Sequence, residues 1–242
     1  IHPEDDIEWV GENFSDVQEI EKAFNHARRI DKTINVFLKM PTQEVWDSWS
    51  IQEQGLYLTN AEREARGIKP FKGVDPNVAL VTGDYATFLV QNNLEISHTR
   101  QSDGAFVGDR LDENSLLQGS YISYSENLAR RMSNSESEAL VSSIYTWIYV
   151  DKITLSGTAW GHRDNNLENK IFGMLSGGDN DNNAFIGFGV NSGLYNPYEP
   201  EPTMIGQAVV YNAVMPQSGW DYSTLTTVSS TDAHQCANEL IL

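Results

Sequence analysis

Of the five histidines in this chain, two sit where side chains from distant segments could meet. His98 lies in Glu95-Ile96-Ser97-His98-Thr99, directly after one helical segment. His162 lies in Trp160-Gly161-His162-Arg163-Asp164-Asn165, directly after another. Turns beside helix ends are where a scaffold brings functional side chains into one cleft. His2 and His234 are near the termini and His26 is in the polar half of a helix, so solvated or capping roles suit them better. Whole reaction classes lose support by inspection. The chain has no G-x-S-x-G elbow, no H-E-x-x-H, no G-x-x-x-x-G-K-[ST], and no G-x-G-x-x-G opening a helix after a strand. One further pattern has ligand spacing: Asp179, Asp181 and Asn183 alternate as the first half of a calcium loop does. Ala184 stands where that loop needs glycine and Val190 where it needs glutamate, so a solvated Asn/Asp turn is the favoured reading and calcium is not expected.

The elements that must carry the two histidines follow from apolar periodicity. Val17, Ile20, Phe24, Ala27 and Ile30 recur at spacings of three and four, which predicts a first amphipathic helix, with Ser15 and Gln18 as its capping box. Met40-Pro41 interrupts this pattern, and Trp46 and Trp49 follow in a short aromatic segment. A second helix is predicted over about 50 to 66, with Ile51, Gly55, Leu58 and Ala65 on one face and Gly67 past its end. A third begins at Asp75-Pro76 and turns Val78, Val81, Tyr85 and Leu89 inward, with Asn92-Asn93 marking its end before His98. A fourth starts at Ser135, where Glu138 completes a capping box, and carries Leu140, Ile144, Trp147 and Ile148.

After residue 165 the texture shifts to Gly, Asn and β-branched or aromatic residues, with strand-like runs at 171–175, 184–190 and 205–214. Ile186, Phe188 and Val190 alternate with Gly187 and Gly189, as half-buried strands do, and residues 196–203 read as the loop to the next strand. Helices first and strands later favour an α+β fold with an antiparallel meander. The expected organisation is an N-terminal extension over residues 1–49, a main domain over 50–215 and a Ser/Thr-rich C-terminal extension over 216–242.

Composition bounds the setting. The chain has 242 residues, 40% hydrophobic and 21% charged, in the range of a folded protein with one sizeable core. A formal charge of −18 and the lack of any basic stripe argue against nucleic acid and anionic membranes. No apolar run approaches the roughly 20 residues of a membrane-spanning helix. Cys236 is the single cysteine, which excludes an intrachain disulfide and a multi-thiolate zinc site. The chain begins at Ile1 rather than Met, as it would after removal of a leader or where the sequence starts inside its gene, and the expected location is outside the cell or in its envelope.

An ordered set of residues resembles a known family. Asn60, Arg63, Gly67 and Pro70 precede Ser97-His98. Then come Ser125-Glu126-Asn127-Leu128-Ala129, Trp147, Gly161-His162-Arg163 with Asn165 and Leu167, and Ile186-Gly187-Phe188-Gly189-Val190. Over about residues 50–215 this resembles the CAP superfamily, the cysteine-rich secretory, antigen 5 and pathogenesis-related 1 proteins, also called the SCP domain. The scarcity of cysteine and the Gly-His-Arg form are similar to its bacterial branch.

The resemblance implies an α-β-α sandwich, with a three-stranded antiparallel sheet between helices and a cleft lined by two histidines and acidic residues. By position these are His98, Glu126 and His162, with Asn127 and Arg163 beside them. The second acidic residue of many members falls on Val150, with Asp151 adjacent but out of helical phase. Two imidazoles and a carboxylate form a three-ligand set for zinc or another divalent metal that leaves a position open. Metal-bound water with a carboxylate base would permit hydrolysis of peptide or another extracellular polymer. The same residues could instead form a polar cleft that binds a small ligand or an extracellular partner, or the extensions could make the contacts of a structural envelope protein. Binding is the leading expectation over turnover.

Overall fold

A computed structural model describes residues 2–31, 34, 36–152, 159–167, 183–230 and 232–236. The fold is of mixed α+β class, as the patterning predicts. Helix α1 spans Val17–Ile30. Its expected Ser15/Gln18 capping box is not formed: Asp16 takes the N-cap and accepts from the backbone N–H groups of Gln18 and Glu19. A full negative charge at the positive end of the helix is a stronger acceptor than a serine hydroxyl, and Ser15 is engaged by Asn13. Val17, Ile20, Phe24 and Ala27 are buried as expected, whereas Ile30, in the last turn, is exposed.

A short strand β1 (Val36–Leu38) and helix α2 (Gln43–Ser48) lead to helix α3 (Ile51–Glu64). Ser50 and Glu53 form a reciprocal capping box that starts α3. Gly67 ends it with φ +69, a left-handed position that favours glycine. Helix α4 (Pro76–Gln91) begins at the predicted Asp75-Pro76 cap. Helix α5 (Val107–Asp112) and strand β2 (Tyr121–Arg131) follow, then helix α6 (Glu136–Tyr149), helix α7 (Gly161–Leu167) and strands β3 (Phe185–Leu194), β4 (Ile205–Pro216) and β5 (His234–Cys236). The run expected at 171–175 lies outside the described residues.

Strands β2, β4 and β3 form an antiparallel sheet in that order, so β2 is an edge. Helices cover both of its faces. On one, Ile186, Phe188, Val209, Tyr211 and Ala213 join the main core with Phe24 of α1, Leu58 of α3 and Ile144 of α6. On the other, Phe185 and Val214 meet Val78 and Leu111, while Leu128 and Val210 meet Tyr85 and Leu89. The alternation at Ile186–Val190 therefore does not mark a half-buried strand. Its glycine face is pressed against the α4 backbone: a Cβ at Gly189 would lie 2.1 Å from the Thr82 carbonyl oxygen, and one at Gly187 2.5 Å from the Ala79 nitrogen.

Strand β2 was not anticipated by the patterning, because its Ser-Glu-Asn stretch carries site residues instead of apolar ones. The terminal segments also join the fold. β1 pairs antiparallel with β5, Val36 opposite Cys236. Val74 and Thr226 exchange backbone hydrogen bonds of 2.8 and 2.9 Å.

Candidate functional site

Glu126 and Asn127 are consecutive on edge strand β2, so their side chains leave on opposite faces of the sheet. Around them the structure builds two imidazole–carboxylate pairs. In the first, Glu126 Oε1 bonds His98 Nδ1 at 2.9 Å. Oε2 of the same carboxylate receives Arg110 Nη2 and, at 3.2 Å, Asn212 Nδ2 from the paired strand. Glu126 is buried, and so is Arg110, whose guanidinium lies 3.8 Å from the centre of the Tyr85 ring. Arg110 also donates to the His98 carbonyl at 2.9 Å, so one cation holds both the carboxylate and the backbone of its histidine. A buried carboxylate carries a desolvation penalty of several kcal/mol, which a hydrogen-bonded cation offsets.

The second pair is His162 with Asp151. Oδ1 of Asp151 bonds His162 Nδ1 at 2.7 Å. Oδ2 accepts the backbone N–H groups of His162 at 2.8 Å and Arg163 at 3.2 Å, capping the first turn of α7 from a distant residue. Trp160 makes this possible. Its φ of +64 turns the chain sharply into α7, a conformation costing on the order of 1–3 kcal/mol in a bulky residue, and its N–H bonds the Asp151 carbonyl at 2.7 Å.

Asp151, one residue past the position on which the resemblance put a second acidic residue, is the carboxylate that meets His162. Helix α6 ends at Tyr149, and Val150 leaves it with φ −130 and ψ 57. Beyond that point the helical period no longer governs side-chain direction, and the adjacent residue faces the imidazole.

The two pairs are tied through β2. Asn127 Nδ2 donates to the His162 carbonyl at 3.0 Å, and Asn165 Nδ2 donates to the Glu126 carbonyl at 3.1 Å and to Asn127 Oδ1 at 2.7 Å. Asn127 is therefore a brace on the backbone of α7. Arg163, placed beside the cleft by the resemblance, is buried: Nη1 caps α6 at the Ile148 carbonyl at 2.7 Å and Nη2 meets Asp31 at 2.6 Å.

That contact opens onto a buried ionic network beneath α7. Arg66 bridges Asp31 and Glu62, Arg28 bonds Glu62 at 2.7 Å, and Tyr149 donates to Glu62 at 2.5 Å. Burial by itself would raise the Glu62 pKa, but the charges of Arg28 and Arg66 outweigh it and hold the carboxyl below its usual value. Helix α1, through Arg28 and Asp31, is in this way bolted to the helices that carry His162.

Sequence reasoning missed Arg110 and the ion network, since neither short helices nor long-range ion pairs leave a periodic signal. It also set aside His2, whose Nε2 lies 2.6 Å from Asp164 Oδ1 and whose ring stacks on Trp160 at 5.8 Å. Of the calcium-loop candidates, Asp179 and Asp181 lie outside the described residues, and Asn183 is exposed with its carbonyl accepting the Tyr222 hydroxyl at 3.1 Å.

The chemistry open to the site follows from which atoms are committed. Both oxygens of Glu126 are engaged by His98, Arg110 and Asn212, so Glu126 braces His98. Each histidine is fixed at Nδ1, and neither Nε2 has a hydrogen bond among the described residues. Among the described residues no group of three or more His, Cys, Asp or Glu is arranged to hold a metal ion. No serine, threonine or cysteine side chain among them bonds either imidazole. No helix among them is long and apolar enough to cross a membrane. A scan against models of known protein families finds no match to the chain, and neither does a comparison with curated proteins.

Proposed function

We propose that this chain is a binding module akin to the CAP/SCP group, working outside the cell or in its envelope, and that His98 and His162 offer their Nε2 atoms to a divalent cation of the zinc class. The observation that carries the reading is the bracing of both rings at Nδ1 by buried carboxylates, Glu126 and Asp151. A carboxylate at one ring nitrogen fixes the tautomer and raises the basicity of the other, the arrangement found behind metal-ligating histidines. With the carboxylates committed to this bracing, two protein ligands remain, and the other coordination positions are open to a donor from a ligand or partner. Binding is favoured over turnover because both carboxylates beside the imidazoles are committed to bracing, Glu126 also to Arg110 and Asp151 also to the backbone of α7, and neither is left as a base for a metal-bound water.

Calorimetric titration with Zn²⁺ tests this. One ion is expected per chain, with at least tenfold weaker binding in both His98→Ala and His162→Ala. Asp151→Asn should weaken it by about tenfold or more through loss of the brace. Isotherms unchanged in either histidine variant would sink the shared site. Chelator-sensitive peptide hydrolysis lost in both variants would instead identify a metal-dependent hydrolase.

A further inference from the structure

A cavity of about 220 Å³ opens between α4 and the segment that runs from residue 100 into α5. Neither His98 nor His162 lines it, although Arg110, which holds Glu126, does.

One wall is apolar and aromatic. Leu80 is 56% exposed, and Tyr85 and Phe88 lie nearly parallel with ring centres 6.2 Å apart. Charges occupy the rest of the lining, and their pairing decides what the cavity can hold. Arg100 is neutralised twice, by Asp103 and by Glu113. Arg110 is neutralised by Glu126 and covered by the face of Tyr85. Asp84 also lines the cavity, and it has no hydrogen bond or ion pair among the described residues.

We propose that this cavity binds a small organic cation: an ammonium or guanidinium group carried on a compact apolar or aromatic body. Asp84 receives the charge, and Leu80, Val81 and Phe88 receive the body. Three observations point the same way. The free charge in the lining is a carboxylate, while both guanidiniums are already satisfied. Aromatic faces attract cations through their quadrupole, so Phe88 reinforces Asp84 instead of opposing it. The chain as a whole carries a formal charge of −18, which concentrates cations and repels anions at its surface. An anionic ligand would have to displace Asp103, Glu113 or Glu126 from an existing ion pair.

The test is titration of the full chain with benzylammonium, benzyl alcohol and benzoate, followed by the amide resonances of residues 80–88 and 110–114. Benzylammonium should shift them saturably with a Kd in the region of about 1 mM, as suits a fragment of its size. The neutral alcohol and the anion should bind more weakly. Asp84 is exposed, so Asp84→Asn should leave the fold intact, and it should weaken benzylammonium by about two- to fivefold, the range of a solvent-accessible ion pair. It should leave benzyl alcohol unchanged. The proposal is overturned by benzoate binding as well as benzylammonium, by the absence of saturable shifts with benzylammonium, or by equal affinity of the Asp84→Asn variant.

Discussion

The two imidazole–carboxylate pairs reach the same local arrangement by different physical means. Glu126 is stabilised by a neighbouring charge, the buried Arg110, with Asn212 adding a neutral donor. Asp151 has no cation within ion-pair distance among the described residues apart from the imidazole it orients, and rests on backbone N–H groups at the start of α7. The first pair is a side-chain lock between a strand and a short helix. The second is a helix cap that also holds a ring. The lock depends on one residue that can be removed cleanly, whereas the cap depends on the chain path through Trp160. Exposure follows this division: the His98 side chain is 48% exposed and that of His162 28%.

The largest effect should come from removing the cation of the lock. Arg110→Ala leaves Glu126 buried and uncompensated, and urea denaturation should report a loss of about 3–5 kcal/mol. A loss under about 1 kcal/mol would mean that Glu126 is held by its other partners and that Arg110 is not the lock. Asp151→Ala removes a cap and a charge-assisted hydrogen bond, for an expected loss of about 2 kcal/mol. Its amide hydrogen exchange should rise in α7 and leave α5 unchanged, whereas Arg110→Ala should show the reverse. Shared changes in both variants would show that the asparagine contacts across β2 couple the pairs tightly.

Acid should act through the ionic network below the cap. The Glu62 pKa is lower in the folded chain than in the unfolded one, so its contribution is fully present above the unfolded carboxyl value. That contribution is lost as pH falls through the folded value. Denaturation midpoints measured down the acid range should therefore decline less steeply in Glu62→Gln than in the parent chain, although the variant starts from lower stability. The smallest effect is expected at the exposed ring of the lock. His98→Ala removes one hydrogen bond at a half-exposed side chain and should cost about 0.5–1 kcal/mol. A larger loss would assign His98 a structural role and weaken its place as a ligand.

Much of the scaffold is legible in the amino-acid sequence. The Asp75-Pro76 start of α4, the Gly67 end of α3 and the apolar stripe of α6 are set by local chemistry: a side-chain acceptor for orphan N–H groups, a left-handed turn, a 3.6-residue period. Strand β2 is not legible in the same way, because a strand carrying a polar site on both faces loses the alternation that reveals strands. Asp16 displaces Ser15 as a cap because two acceptors compete within two residues, and propensity alone does not rank them in context.

The histidines mark where sequence ends and tertiary structure begins. Residue type and position single out His98 and His162, and the family resemblance adds Glu126. Their partners do not follow. Arg110 meets Glu126 across 16 residues, Asp31 meets Arg163 across 132, and Asp151 meets His162 from just past the end of α6, where Val150 has left the helix. Which carboxylate faces which ring is a matter of where helices end and which side chains share a buried space. Packing in three dimensions decides that, since local propensity carries no information about residues far apart in the chain.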